Sequence, residues 1–117
     1  LSADGAGFPF REEIAPQKDD AVIVKRQCSA FQDTALEEKL RAAGIDALIA
    51  CGMQTEYCVD TAVRAAFERG FAVTLAADAH TTGDTAVLHA KDIIAHHNAT
   101  LANFADIVPA AEISFTR

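Results

Sequence analysis

The residues best suited to covalent chemistry surround Cys58, which follows an apolar run that ends at Gly52. After the cysteine, apolar side chains recur at the spacing of one helix face, and a glycine follows that would end the helix. These residues are Val59, Ala62, Val63, Ala66 and Phe67, followed by Gly70. Cys58 is thereby predicted at a helix N-terminus, where unpaired backbone N–H groups and the helix dipole stabilise a thiolate. It is either a reactive nucleophile or a small buried apolar residue.

Lys25 is a second candidate, because it directly follows the short apolar run 21–24. Such a run, bounded by charged residues, predicts a strand that is buried on both faces. A second strand is predicted for residues 47–51, and the carboxyl ends of parallel strands meet at one sheet edge. We therefore expect Lys25 and Cys58 to face one crevice, where the ammonium stabilises the thiolate while the sulfur attacks a carbonyl carbon. The alternative is a solvated lysine at the end of a strand.

The elements that must position these residues alternate between strand and helix. Thr34 and Glu37 have the spacing of a capping box at the start of a helix that ends before Gly44. The predicted strands are 21–24, 47–51, 71–76 and 105–108, the predicted helices are about 34–43, 59–69 and 85–104, and residues 1–20 and 78–84 are loop-like. This alternation predicts right-handed βαβ units in a single domain. The expected fold is a three-layer α/β/α domain of residues 1–117 with a mostly parallel sheet.

Composition and charge limit the function classes. A net charge of −7 over 117 residues argues against nucleic acid or an anionic membrane surface as a partner. No apolar run is long enough to span a membrane. The three cysteines are separated by 23 and 7 residues, which matches neither a zinc site nor a C-x-x-C redox pair. We therefore expect a reducing compartment, the cytoplasm.

Two segments carry a resemblance to a known family. Residues 24–34 are V-K-R-Q-C-S-A-F-Q-D-T and residues 51–59 are C-G-M-Q-T-E-Y-C-V. The combination of K-x-x-x-S-A-F with G-x-x-T-x-x-C-V resembles the isochorismatase-like cysteine hydrolases, which include nicotinamidases, carbamoylsarcosine amidases and ureidoacrylate-type amidohydrolases. The similarity extends from about residue 14 to residue 109. It implies the same three-layer, Rossmann-like α/β fold and a homo-oligomer. No cofactor is expected.

The resemblance also implies roles for individual residues. Lys25 matches the lysine, and Cys58 the nucleophile, of a catalytic triad of aspartate, lysine and cysteine. A cis peptide is expected between Met53 and Gln54, which would direct the Gln54 backbone N–H, with that of Cys58, at the substrate oxygen as an oxyanion hole. The substrate would be a small amide or amide-like molecule, cleaved through a thioester that water hydrolyses. Isochorismate itself is disfavoured, because its hydrolysis breaks a vinyl ether and the relatives that catalyse it lack the cysteine.

Three more residues are candidates for the substrate pocket. Phe31 lies in the first matched segment, Tyr57 precedes the nucleophile, and His80 follows a predicted strand at the functional edge of the sheet. For each of them, structural packing is the alternative to substrate contact.

The remaining cysteines and histidines are expected to have structural roles only. Cys28 and Cys51 are expected to be chemically inert. His97 shares an apolar helix face with Ile94 and Leu101 and is expected to be a hydrogen-bonded core histidine. No metal site is therefore expected.

The triad aspartate is the part of the family pattern that has no match. In the family it ends an N-terminal strand of the form apolar-apolar-Ile-Asp-x-Gln, and these 117 residues contain no such stretch. Asp4 lies in a segment that resembles a later loop and is not a substitute. One strand–helix–strand unit is thus expected to be missing, either because this is the C-terminal part of a longer enzyme, as we expect, or because another chain completes the core. Without its general base, the chain alone is expected to show little activity.

Two other classes compete with an enzyme. A catalytically silent scaffold or binding subunit would keep the fold without the triad, and the reactivity of Cys58 toward alkylating reagents distinguishes it from an active hydrolase. A dinucleotide-binding domain is disfavoured, because no G-x-G-x-x-G follows a predicted strand.

Overall fold

The computed structural model describes Gly5 and residues 9–115, which form a parallel sheet of three strands with three α-helices. The elements are α1 (Leu36–Ala42), β1 (Ala47–Met53), α2 (Asp60–Glu68), β2 (Ala72–Thr81), α3 (Ala90–Leu101) and β3 (Asp106–Val108), with 3₁₀ turns at Glu12–Ile14 and Ala110–Glu112 and a π-helical turn at Thr55–Val59. The predicted α/β class with a parallel sheet is confirmed. Asp4 lies outside the described residues.

The sheet is built around β2, which pairs in parallel with β1 on one side and β3 on the other. The β1–β2 ladder starts with Ala47 opposite Ala72 and shifts register between Ala50 and Gly52. Among the described residues, the outer edge of β1 therefore has no strand partner. The carboxyl ends of β1 and β2 lie side by side, as the sequence pattern predicted.

The hydrophobic core joins one face of the sheet to the helices. Alternate residues of β2, Val73 and Leu75, pack against Val63 and Ala66 of α2 and against Leu101 of α3. The remaining buried members are Phe31, Val59 and Phe71, and the half-buried Leu36 and Leu40 of α1 pack against this cluster. Burial of these side chains is the main favourable contribution to folding of the described region.

The opposite side of β1 is open among the described residues. Ile49 and Met53 are exposed there, although both belong to an apolar strand. The predicted strand 21–24 is wrong, because this stretch has irregular backbone with Val22 52% and Val24 66% exposed. A strand requires a hydrogen-bonded neighbour, and no described strand pairs with this segment.

The boundaries of two later elements differ from the prediction. β2 continues to Thr81, so the first four residues of the loop expected at 78–84 belong to the strand. α3 begins only at Ala90, because the Thr85 hydroxyl accepts hydrogen bonds from the backbone N–H groups of Val87 and Leu88. This local turn competes with helix formation.

The predicted capping box is also wrong. Thr34 Oγ1 accepts from the Leu36 backbone N–H at 3.3 Å and donates to the Ala30 carbonyl, so it closes a turn before α1. The Glu37 carboxylate instead pairs with Arg69 Nε at 3.2 Å and thereby connects α1 to the end of α2. The Glu37 side chain thus forms an ion pair with a distant arginine instead of the capping hydrogen bond expected near Thr34.

In the part of the chain that the structure describes, no helix is both long and apolar enough to cross a membrane. The cytoplasmic location, the homo-oligomeric state and the exclusion of nucleic acid as a partner stay predictions.

Replacing Leu75 with alanine should destabilise the fold, because this side chain is fully buried in β2. The expected loss is about 2–5 kcal/mol in the free energy of unfolding, from lost burial and the cavity that remains. Leu88→Ala, in an exposed loop position, is a matched control that should change it by less than about 0.5 kcal/mol. Urea unfolding followed by circular dichroism measures both variants, and equal losses would contradict the core assigned above.

Candidate active site

The turn that carries Cys58, here named the cysteine turn (Thr55–Val59), begins just after β1. Gly52 has a φ of 122°, a conformation that favours glycine, and the Met53–Gln54 peptide that follows is cis, as the family resemblance predicted. The Gln54 carbonyl accepts a hydrogen bond from the Val59 N–H at 3.1 Å and closes the π-helical turn. Cys58 therefore lies in the helical turn that leads into α2, close to the helix N-terminus expected from the sequence.

Lys25 reaches Cys58 from irregular backbone rather than from the end of a strand. Its Nζ donates to Cys58 Sγ at 3.3 Å and to the Gln27 backbone oxygen at 2.8 Å. The contact places the positive charge of the lysine side chain directly beside the sulfur. Lys25 is exposed and Cys58 is half-buried, so the contact lies at the surface of the site. The two residues that were predicted to act together are thus in contact.

A cavity of about 160 Å³ opens beside this contact. Its described lining consists of Lys25, Cys28, Ala30, Ala50, Cys51, Met53, Cys58, Val59 and Ala62. Apart from the lysine and the three cysteines, these side chains are apolar. The described lining thus combines one cationic group and three thiol groups with apolar surface.

Cys28 and Cys51 are both exposed and line the same cavity as Cys58. Cys51 was predicted to end a buried strand, and its exposure therefore differs from the expectation. The reason is the open side of β1, which leaves alternate residues of that strand uncovered. Their predicted inertness stays a prediction.

The three predicted pocket residues are not part of the described cavity lining. Phe31 is buried in the core, with its ring centroid 6.0 Å from that of Phe71. Tyr57 is 53% exposed on the cysteine turn. His80 is 4% exposed, and both of its ring nitrogens have hydrogen-bond partners within the protein, which leaves neither nitrogen free for a substrate.

The other histidines show no arrangement for a metal ion. His97 is half-buried and donates from Nδ1 to the Ile93 carbonyl at 2.8 Å, the hydrogen bond expected of a packed histidine. Within Gly5 and residues 9–115, no group of three or more histidine, cysteine, aspartate or glutamate side chains is placed to hold a metal. His97 thus has a structural hydrogen bond rather than a ligand geometry.

Sequence reasoning named His80 as a substrate contact and missed the hydrogen bonds that connect it to the cysteine turn. Thr55 Oγ1 lies 2.8 Å from His80 Nδ1, and His80 Nε2 lies 2.8 Å from Asn98 Oδ1. In addition, Thr82 Oγ1 donates to the Glu56 carboxylate. Thr55 is the threonine of the T-x-x-C motif, but its hydrogen-bond partner His80 is 25 residues away. No local sequence pattern therefore identifies this pair.

Fold and site together define a class of protein, namely an α/β domain that holds a cysteine, with a lysine against it, at the carboxyl edge of a parallel sheet. Residues 2–112 match the family model described as the Isochorismatase domain. The chain therefore belongs to the isochorismatase family, and the resemblance seen in its sequence is confirmed.

Individual relatives agree with this family. The uncharacterized isochorismatase family protein YddQ of Bacillus subtilis (strain 168) is 34% identical over 91 residues, which cover 78% of this chain and 50% of that protein. Ureidoacrylate amidohydrolase RutB of Variovorax paradoxus (strain S110) is 35% identical over 92 residues, or 78% of this chain and 36% of RutB. The crystal structure of an isochorismatase from Pseudomonas putida KT2440 has a TM-score of 0.90 at 35% identity, covering 94% of this chain and 59% of that one. The chain thus spans half or less of the length of these two curated relatives.

Replacing Lys25 with methionine should slow the alkylation of Cys58, because the substitution keeps the length of the side chain and removes the charge beside the sulfur. We expect a several-fold lower rate with iodoacetamide at neutral pH, measured by peptide mass spectrometry with Cys28 and Cys51 as internal references. Lys18→Met, at another exposed lysine of the N-terminal region, is the matched control and should leave the rate unchanged. Equal Cys58 rates in Lys25→Met and the parent protein would contradict a role for the ammonium.

Proposed function

We propose that this chain carries the nucleophile and the lysine of a cysteine-dependent hydrolase that cleaves a C–N bond in a small amide or amide-like molecule. The observation that carries the proposal is the 3.3 Å contact between Lys25 Nζ and Cys58 Sγ, beside a small cavity, in a chain of the isochorismatase family. A thiolate held against an ammonium at a helix N-terminus is suited to attack an acyl carbon.

In the proposed reaction, the Cys58 sulfur bonds to the carbonyl carbon, and the C–N bond then breaks. The general base takes the proton of the Cys58 thiol and gives it to the nitrogen, which leaves as ammonia or an amine, and a thioester remains on the cysteine. Water attacks the thioester, which releases the carboxylic acid and restores the thiol. The backbone N–H groups of Gln54 and Cys58 would stabilise the oxygen that becomes negative in each step, and Lys25 would stabilise the thiolate that forms when the base removes the thiol proton.

The described cavity supports a small and largely uncharged acyl group. Its volume is about 160 Å³, and Ala30, Ala50, Val59 and Ala62 contribute apolar surface. An amide is favoured over an ether because a thiolate needs an electrophilic acyl carbon to form a covalent intermediate. One relative is a ureidoacrylate amidohydrolase, which adds support for a substrate with a C–N bond.

The general base is proposed to come from outside the described residues. Within the described part, Lys25 Nζ contacts the Gln27 backbone oxygen and Cys58 Sγ, and no carboxylate lies within ion-pair distance of it. The open outer edge of β1, with Ile49 and Met53 exposed beside it, would accept a further strand. A strand that pairs with this edge and ends in aspartate would bring a carboxylate to the edge of the sheet where Lys25 lies. A helix connected to that strand would cover the exposed side chains of β1.

A catalytically silent scaffold or small-molecule-binding subunit is the second candidate. The observation that favours it is the lack of a carboxylate beside Lys25 among the described residues. In a silent subunit the Cys58 thiol has no need of activation and would be alkylated no faster than Cys28 and Cys51. A faster reaction at Cys58 favours the hydrolase.

Ammonia release from a panel of small amides tests the proposed hydrolase, using the full polypeptide to which this chain belongs. Cys58→Ala should lower kcat by at least about 1,000-fold, because the covalent step has no other sulfur in the same position. Acid quenching during turnover should trap an acyl group on the Cys58 peptide, detected by mass spectrometry. Amide hydrolysis that persists in Cys58→Ala would contradict a thioester mechanism.

The 117-residue chain by itself should be a poor catalyst, since general acid–base catalysis contributes about 100- to 10,000-fold. We therefore expect its amide turnover to be at least about 100-fold below that of the longer polypeptide, with folding of both verified by circular dichroism. Full turnover by a protein whose intact mass is 12.4 kDa would show that the base lies within this chain.

A further inference from the structure

A buried polar chain extends from the cysteine turn into the body of the fold through Thr55, His80 and Asn98. Thr55 is fully buried, and His80 is almost so. Thr55 Oγ1 is 2.8 Å from His80 Nδ1, His80 Nε2 is 2.8 Å from Asn98 Oδ1, and Asn98 Nδ2 donates to the Ala77 backbone oxygen at 3.0 Å. The buried polar chain thereby links the cysteine turn to both β2 and α3.

The bond to Ala77 determines the direction of every hydrogen bond in the buried polar chain. Because the Asn98 amide nitrogen donates to the Ala77 carbonyl, its oxygen faces His80 as an acceptor. His80 Nε2 must then carry the proton, which leaves Nδ1 of the neutral ring as an acceptor. A neutral ring accepts the Thr55 hydroxyl hydrogen at that Nδ1, which lies 2.8 Å from Oγ1. With a neutral ring each member has one role, and removing the Thr55 hydroxyl or the Asn98 oxygen leaves a buried ring nitrogen unpaired.

We propose that Thr55, His80 and Asn98 are positioning residues that hold Cys58 in the orientation required for attack. This inference rests on the proposed function, in which Cys58 is the nucleophile. Thr55 precedes Cys58 by three residues on the same turn, so a shift of the turn would break its hydrogen bond to His80 where water cannot replace it. A second hydrogen bond, from the Thr82 hydroxyl to the Glu56 carboxylate, also holds the turn.

Thr55→Val is the first variant, because it keeps the shape of the side chain and removes only the hydroxyl donor. In the full polypeptide we expect kcat for amide hydrolysis to fall by about 10- to 100-fold, with KM changed less than about twofold, because misplacement of the nucleophile affects attack more than binding. The rate of Cys58 alkylation should fall in the same variant. Thr55→Ser keeps the donor and should restore most of both rates.

Asn98→Leu acts at the far end of the buried polar chain, away from the cavity lining, and is the second variant if Thr55→Val fails to fold. It leaves the His80 Nε2 proton without its acceptor, so both rates should fall in the same direction. Thr74→Val, at a half-buried threonine of β2 outside the buried polar chain, is the matched control and should change neither rate.

The measurements are made at 25 °C on variants whose circular dichroism shows them folded. Normal kcat and normal Cys58 alkylation in both Thr55→Val and Asn98→Leu, even with lower melting temperatures, would overturn the positioning role and leave a stabilising one. Failure of the proposed function is a separate result, since Cys58→Ala would then retain amide hydrolysis. In that case the alkylation rates of Thr55→Val and Thr55→Ser still decide whether the buried polar chain controls the cysteine.

Discussion

The contact between Lys25 Nζ and Cys58 Sγ joins two segments that are 33 residues apart in the chain, and the site depends on their meeting. The lysine lies on irregular backbone and is oriented by its second bond, to the Gln27 carbonyl. The cysteine is placed by the end of β1, by the turn at Gly52 and by the start of α2. Because an isolated turn has little rigidity, the position of the sulfur depends on the β1–β2 ladder and on the helix that packs against it.

The two faces of β1 differ sharply in their surroundings. Leu48 and Ala50 pack toward the core that β2, α2 and α3 share, whereas Ile49 and Met53 point to an open side. Apolar side chains in regular strands are normally covered, because exposing them to water is unfavourable. The chain also spans only part of the length of its relatives. This asymmetry and the lack of a carboxylate beside Lys25 in the described part have the same proposed explanation.

Periodicity was sufficient where an element is stabilised mainly by its own pattern. The apolar repeat after Cys58 predicted α2, and the apolar run before Gly52 predicted β1, each within two residues at its far end. The paired motifs placed Lys25 beside Cys58, because both positions belong to segments that the family resemblance connects. The strand expected at 21–24 failed, since composition indicates that a segment can form a strand but does not supply its neighbour.

By itself, the sequence determined the class of fold, the helix N-terminus at Cys58 and the pairing of that residue with Lys25, because each of these follows from local spacing or from the paired motifs. Only the tertiary structure decided which side chains surround them. It directed Phe31 into the core and enclosed His80 between Thr55 and Asn98, while it left Cys28 and Cys51 beside the cavity. The physical reason is that burial and hydrogen-bond partners are set by residues from distant parts of the chain, which no local pattern contains.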